Sequence, residues 1–292
     1  MTRELEGLVL RCIGGFYYVD TAEGLYECRA RGIFRKEKIT PLVGDQVAVT
    51  VDEASGTGSV DTIEERKNVL IRPPVANVTQ MAVVIATASP RPNLYLLDKL
   101  IASAEYAAVR PLICWNKTDL EDGSALAAVY EKAGFDTLRL SAETGWNVEN
   151  LRARLKDEIT VFAGNSGVGK SSLLNQVFGQ ESFATGAVSG RVERGKHTTR
   201  HSELAVLPGG GYIIDTPGFG SFDIVLLQPA DCSALFREFL PYTDGCKFRD
   251  CSHTVEKGCR VLEAVQEGII AQSRHESYCR LVQEIRDAQK WK

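Results

Sequence analysis

Residues 164–171 read Gly164-Asn165-Ser166-Gly167-Val168-Gly169-Lys170-Ser171, a G-x-x-x-x-G-K-S run. An apolar stretch, Thr160–Ala163, leads into it, and Ser172-Leu173-Leu174-Asn175-Gln176-Val177 leads out with helical character. Strand, glycine loop and helix in that order form a phosphate cradle. Glycines let successive backbone N–H groups curl around phosphate oxygens, and the helix N-terminus adds its positive dipole at the same spot. Residues 164–172 are therefore assigned to nucleotide binding, with Lys170 reaching the β- and γ-phosphates and the Ser171 hydroxyl holding Mg²⁺.

The flanking sequence alternates strand and helix. Apolar runs at Met81–Ala86, Pro111–Trp115 and Thr137–Leu140 predict strands; helices are predicted through Leu94–Ala104 behind an Asn93 cap, over Leu126–Ala133 and over Val148–Lys156. Ser202–Leu207 and Tyr212–Ile214 read as a hairpin. Such alternation predicts a mostly parallel sheet covered on both faces, with ligands at the carboxyl ends of its strands.

Ahead of this pattern, five short strands are expected at Leu8–Ile13, Phe16–Val19, Leu25–Ala30, Gln46–Val51 and Ser59–Ile63. Five strands in so short a segment must close on each other to bury one face, which predicts a small barrel of the OB type. A loop after its third strand carries Arg31, Arg35, Lys36 and Lys38 around Phe34, a pattern that suits RNA backbone and base stacking. Arg72-Pro73-Pro74 reads as a stiff connection. Beyond Phe222 the sheet pattern stops, and helices are expected at Cys232–Leu240 and Ser273–Gln289, with a cysteine cluster between them.

With 292 residues, 44% of them hydrophobic, the chain can bury more than one core. The formal net charge of −4 leaves nucleic-acid contact to local patches. The N-terminus lacks the long apolar core of an export signal, and no apolar run approaches the span of a bilayer. A cytoplasmic chain without membrane attachment is expected, with its eight cysteines reduced and available to metal.

Asn116-Lys117-Thr118-Asp119 ends the strand Pro111–Trp115. The aspartate can accept hydrogen bonds from guanine N1–H and its 2-amino group. Adenine offers neither donor and would leave the carboxylate unpaired, which argues against an ATP-using enzyme. Lys117 can lie along the base, and Asn116 can tie the loop together. Ser141-Ala142 follows the next strand and could meet the guanine carbonyl through its backbone. Asp215-Thr216-Pro217-Gly218 supplies an aspartate that would hold Mg²⁺ through water and a Gly218 N–H that would sense the γ-phosphate. In Gly195-Lys196-His197-Thr198-Thr199-Arg200, either Thr198 or Thr199 could complete the Mg²⁺ shell.

In an ordinary GTPase the phosphate loop precedes the guanine-reading segments. Here they come first, so the domain is circularly permuted, and the γ-phosphate sensor feeds directly into the C-terminal unit. The permuted order, the N-terminal barrel and the C-terminal cysteines resemble the small-ribosomal-subunit biogenesis GTPases of the RsgA (YjeQ) family over nearly the whole chain. The run Arg194–Thr199 matches that family's loop. The resemblance implies hydrolysis of GTP to GDP and phosphate stimulated by the small ribosomal subunit, binding to 16S rRNA, and a role late in maturation of that subunit, as a monomer. Three domains are expected: an OB-fold over 1–70, a permuted GTPase domain over 71–222 and a helical zinc domain over 223–292. Phe219 stands where a Ras-like enzyme carries its water-orienting glutamine, so His197 is the candidate catalytic group. Without that glutamine a second reading stays open, a GTP-dependent RNA-binding switch whose hydrolysis is incidental.

Cys246-x4-Cys251-Ser252-His253-x5-Cys259 gathers soft ligands within one short segment. Its spacing is not that of a common finger, and the resemblance carries all four residues over as ligands of one Zn²⁺ per chain. Three thiolates and an imidazole form a closed, structural set. Lys247, Arg249, Lys257 and Arg260 surround it and suit RNA. Cys12, Cys28, Cys114, Cys232 and Cys279 are expected to be core.

Overall fold

The computed structural model describes residues 2–52, 55–71, 74–179, 203–215 and 228–290, with Arg35 and Asp215 described in their backbone alone. The chain divides into two compact units. One comprises Met1–Gln80, Glu149–Phe162 and Leu174–Phe219; the other comprises Met81–Val148, Ala163–Leu173 and Gly220–Lys292.

The first unit opens with β1 (Thr2–Ile13), β2 (Phe16–Thr21), β3 (Gly24–Ala30), helix α1 (Gly32–Glu37), β4 (Gln46–Asp52) and β5 (Thr57–Ile63). Pairing runs β1–β2–β3–β5–β4 and returns from β4 to β1, so the barrel closes and leaves no free edge. The two-residue period of β4 turns Val47, Val49 and Val51 inward, where they meet Val9, Val19, Cys28 and Val60.

Phe34 lies in that same core, which corrects its sequence assignment as a base-stacking aromatic. The basic segment is no open loop: it folds into α1, whose apolar side seats the phenyl ring over the barrel. Lys36 and Lys38 stay exposed, while Arg31 pairs with Asp61 at 2.8 Å.

A short antiparallel pair, β6 (Val69–Ile71) with β7 (Pro74–Ala76), follows the barrel; Arg72 and Pro73 of the expected stiff connection lie outside the described residues. Buried Asp45 anchors its approach, accepting from Arg66 Nε at 2.7 Å and Nη2 at 2.8 Å.

The second unit begins at Met81, within β8 (Gln80–Ala86), a strand buried along its whole length. A strand without an exposed face needs cover on both sides, the signature of a sheet interior. Next come α2 (Leu94–Tyr106), β9 (Arg110–Asn116), α3 (Ser124–Lys132) and β10 (Asp136–Arg139). β9 lies between β8 and β10 and runs parallel to β10. Asn93 caps α2 as expected, its Oδ1 accepting from Leu96 N at 3.1 Å.

Further along are α4 (Val148–Leu155), β11 (Ile159–Ala163), α5 (Lys170–Phe178), β12 (Glu203–Val206) and β13 (Tyr212–Asp215). β11 runs parallel to β13, and β12 and β13 form the expected antiparallel hairpin.

The C-terminal segment departs from the expected Cys232–Leu240 helix. Residues Pro229–Leu235 and Arg237–Phe239 form 3₁₀ turns, separated at Phe236 by an extended φ of −112° and ψ of 93°. That break lets the rings of Phe236 and Phe239 both reach Tyr278, at 5.3 Å and 4.9 Å between centroids. Short α6 (Leu240–Thr243), α7 (Arg260–Gln266), which the sequence reading lacked, and α8 (Gln272–Gln289) complete the described chain.

Of the cysteines expected in the core, Cys28, Cys114 and Cys232 are buried, whereas Cys12 and Cys279 are only half-buried. Among the described residues, no helix is long and apolar enough to cross a membrane.

Candidate nucleotide site and metal centre

The phosphate loop joins β11 to α5. Gly164, Gly167 and Gly169 adopt φ values of 138°, 80° and 96°, a region that side-chain-bearing residues rarely occupy. Two of these glycines are also required for space. A Cβ on Gly164 would lie 2.1 Å from the Val84 carbonyl oxygen, and one on Gly169 would lie 2.2 Å from Asn116 Nδ2. The loop is thus packed directly against the strand end that carries the guanine motif.

Lys170 folds over this cradle, its Nζ donating to the carbonyls of Gly164 and Asn165 at 2.7 Å each. Burial pulls its ammonium below the usual lysine range. Phosphate oxygens would offer the ammonium stronger, charged acceptors than two neutral carbonyls. Asn165, Ser166, Gly167, Ser171 and Ser172 are exposed, open to a ligand at the α5 N-terminus.

Asn116, Lys117 and Asp119 stand at the end of β9. Asn116 is 1% exposed and ties three loops. Its Nδ2 donates to Val168 O in the phosphate loop at 2.8 Å, and its Oδ1 accepts from Ala142 N at 3.0 Å. Ser141 Oγ donates to Asp119 Oδ1 at 2.5 Å, while Asp119 remains exposed. Ser141 therefore orients the aspartate through its side chain, a role its backbone assignment did not include. Ala142 already gives its N–H to Asn116, so a guanine carbonyl would share that donor.

Lys117 adopts a φ of 67° and donates from Nζ to the Ser89 carbonyl, while its own carbonyl accepts from Thr87 Oγ1 at 2.8 Å. The Thr87–Ser89 segment was absent from the sequence reading. Its only signal there is position, directly after a buried strand.

Asp119, Ser141 and the phosphate loop all belong to one compact unit, so the structure brings both halves of the nucleotide motif together. His197, Thr198, Thr199, Gly218 and Phe219, together with the side chain of Asp215, lie outside the described residues.

The metal-ligand candidates also converge. Ligand atoms of Cys246, Cys251, His253 and Cys259 all lie within 4.8 Å of one another. His253 Nδ1 is 3.6 Å from Cys246 Sγ and 3.4 Å from Cys259 Sγ, and the two sulfurs are 3.9 Å apart. Tetrahedral Zn²⁺ with bonds of about 2.3 Å to sulfur and about 2.0–2.1 Å to nitrogen gives ligand-to-ligand edges of about 3.5–3.8 Å. These three separations lie close to those edges, as a cluster able to hold a metal ion requires.

Burial raises the Cys251 and Cys259 thiols above the ordinary range. Glu256 braces the loop by accepting from the N–H groups of Ser252, Thr254 and Val255 at 2.8, 3.0 and 3.1 Å. Lys247, Arg249, Lys257 and Arg260 are exposed around it, beside a 47% exposed Phe248.

Comparison with known proteins agrees with this geometry. The model of the RsgA GTPase family matches residues 63–225, and that of the RsgA N-terminal domain matches residues 6–60. A small ribosomal subunit biogenesis GTPase RsgA from Ruminiclostridium cellulolyticum is 44% identical over 291 residues, covering 98% of this chain and 95% of the relative. One of the same description from Caldanaerobacter subterraneus subsp. tengcongensis is 45% identical over 290 residues, covering 98% and 97%.

Among solved structures, YloQ, described as a circularly permuted GTPase, aligns with a TM-score of 0.84 at 34% identity, covering 98% of this chain and 96% of its own. YjeQ from Thermotoga maritima aligns at 0.82 and 33%, covering 97% and 99%. A closed N-terminal barrel, a P-loop that follows its guanine motif, a C-terminal Cys₃His cluster and likeness along nearly the full length lead to one assignment: this chain belongs to the RsgA GTPase family.

Proposed function

We propose that the chain binds GTP with Mg²⁺, hydrolyses it to GDP and phosphate, and acts in small ribosomal subunit biogenesis by engaging that subunit and its 16S rRNA. The observation that carries the reading is the Asn116 amide, which joins the guanine motif to the phosphate loop at 2.8 Å. That bond supports a reading in which base recognition and phosphate binding belong to one site. The relatives' shared description as small ribosomal subunit biogenesis GTPases supports the partner.

In this reading Asp119 accepts from guanine N1–H and the 2-amino group, held by Ser141 Oγ. Lys117 lies along the base, and the N–H groups of residues 164–172 enclose the phosphates. Lys170 exchanges its two carbonyl partners for the β- and γ-phosphates. Ser171 and one of Thr198 and Thr199 would hold Mg²⁺, with Asp215 reaching it through water, and the ion would neutralise charge on the transferring phosphoryl group. The Gly218 N–H senses the γ-phosphate. His197 takes the catalytic place that Phe219 cannot fill, since a phenyl ring cannot orient water.

The Cys246, Cys251, His253 and Cys259 set holds one Zn²⁺ in a structural role, within a helical domain assigned to 223–292. The OB barrel (1–70) and the basic metal knuckle contact RNA, and the GTPase domain spans 71–222. The chain works as a cytoplasmic monomer.

Metal analysis of the purified chain tests the zinc assignment. One Zn²⁺ per chain and loss of C-terminal helicity on chelation are expected; a zinc-free, fully folded chain contradicts it. Phe219 favours one competing reading, a GTP-dependent RNA-binding switch with incidental hydrolysis. Subunit binding that depends on GTP, with turnover unchanged by subunits, would select it.

A further inference from the structure

One turn of α8 grips the metal loop from behind. Tyr278 Oη donates to the Ser252 carbonyl at 2.7 Å, and His275 Nε2 lies 2.8 Å from the His253 carbonyl. A carbonyl oxygen only accepts, so His275 carries its proton on Nε2. Both side chains are buried, at 7% exposure for His275 and 1% for Tyr278. Three residues apart on a helix, they share one face. Their acceptors are consecutive peptide groups, the second belonging to the ligand His253 itself.

His253 needs such support. Its φ of 56° lies in the left-handed region, which residues other than glycine seldom adopt without help from their surroundings. In that conformation its Nδ1 faces Cys246 and Cys259. Phe239 fills the space behind, its ring 6.5 Å from the His253 ring and 6.2 Å from that of His275.

The neighbouring Arg274 sets the position of α8. It is 1% exposed and donates from Nη1 to Asp98 on α2 and from Nε to Glu238, each at 2.6 Å. The helix that holds the metal loop is therefore itself locked by buried ion pairs.

We infer that His275 and Tyr278 are positioning residues of the metal centre: they hold His253 in its left-handed conformation and preform the donor set. This rests on the cluster being a metal site. The affinity for metal is then set by α8 as well as by the four donors, because a preformed loop loses less freedom on binding. Packing of α8 alone would lower stability, and with it the affinity read by a chelator, but leave the Co²⁺ spectrum of the loaded chain unchanged.

The test uses the full-length chain loaded with Zn²⁺ and titrated with a competing chelator, alongside the visible spectrum of the Co²⁺-loaded chain. Tyr278→Phe and His275→Leu are expected to weaken Zn²⁺ binding about 10- to 100-fold and to shift the Co²⁺ bands. His275→Gln retains an N–H donor and is expected to recover part of the affinity. Co²⁺ spectra equal to wild type in both Tyr278→Phe and His275→Leu overturn the inference, whatever the affinities. If His275→Leu does not fold, Tyr278→Phe decides alone, since it removes one oxygen and keeps the ring. A wild-type chain that takes up no metal overturns the metal assignment itself; a wild type that holds metal beside unchanged variants overturns only the positioning role.

Discussion

The Asn116 side chain donates to the Val168 carbonyl at 2.8 Å, and a Cβ on Gly169, the next residue, would stand 2.2 Å from the same Nδ2. Two loops far apart in sequence are thus fitted to each other through one amide. Asn116→Ala removes the hydrogen bonds to Val168 O and from Ala142 N, at about 0.5–1.5 kcal/mol for each bond lost. GDP affinity measured by calorimetry should fall by about tenfold or more. Gly169→Ala should weaken binding in the wild type and weaken it less in the Asn116→Ala background, where the clash is gone. Strict additivity would show that the two loops are not in contact.

On the proposed reading base choice follows from Asp119, which is exposed and accepts from Ser141 Oγ. Asp119→Asn should weaken GTP binding about 10- to 150-fold, the equivalent of about 1.5–3 kcal/mol for a charge-assisted hydrogen bond. The variant should prefer xanthine nucleotide, whose 2-position presents oxygen. Competition between GTP, XTP and ATP reads this out; wild-type binding of ATP as tight as GTP would contradict it.

Much of this was legible in the sequence because the patterns are local. G-x-x-x-x-G-K-S demands its glycine conformations, N-K-x-D ends a strand of apolar residues, and the two-residue period of Gln46–Val51 predicts which valines turn inward. The misses have a common cause. Phe34 looked like an exposed aromatic because its neighbours are basic, yet burial is decided by α1 lying over the barrel. The break at Phe236 is imposed by contact with Tyr278, about forty residues later in the chain. The Ser141–Asp119 bond and the grip of α8 on the metal loop join segments whose proximity only tertiary structure reveals.

Burial separates the ion pairs by energetic weight. Arg274 pairs with Asp98 and Glu238 at 1% exposure for the arginine, 1% for Asp98 and 8% for Glu238. Arg274→Met should destabilise the chain by about 3–5 kcal/mol, because it strands two buried carboxylates. Arg3 pairs with Glu23 at 55% and 41% exposure, and Arg3→Ala should cost about 0–1 kcal/mol. Urea unfolding of both variants checks the contrast; equal losses would contradict it.

Lys170 and His197 should separate by kinetics. Lys170→Ala removes the ammonium that covers the cradle and should lose both GTP affinity and turnover. His197→Ala should keep GTP affinity and lose subunit-stimulated turnover, because Phe219 leaves no glutamine to take its place. Equal loss of affinity and rate in His197→Ala would make the histidine a phosphate contact.

Steady-state GTP hydrolysis by the purified chain, with and without purified small ribosomal subunits, tests the central claim most directly. The Asn116 amide joins the phosphate and guanine loops, and on the proposed reading Phe219 stands where a water-orienting residue would be, so slow turnover alone and a marked increase on adding subunits are predicted. Turnover that stays at the same level with subunits present would contradict it.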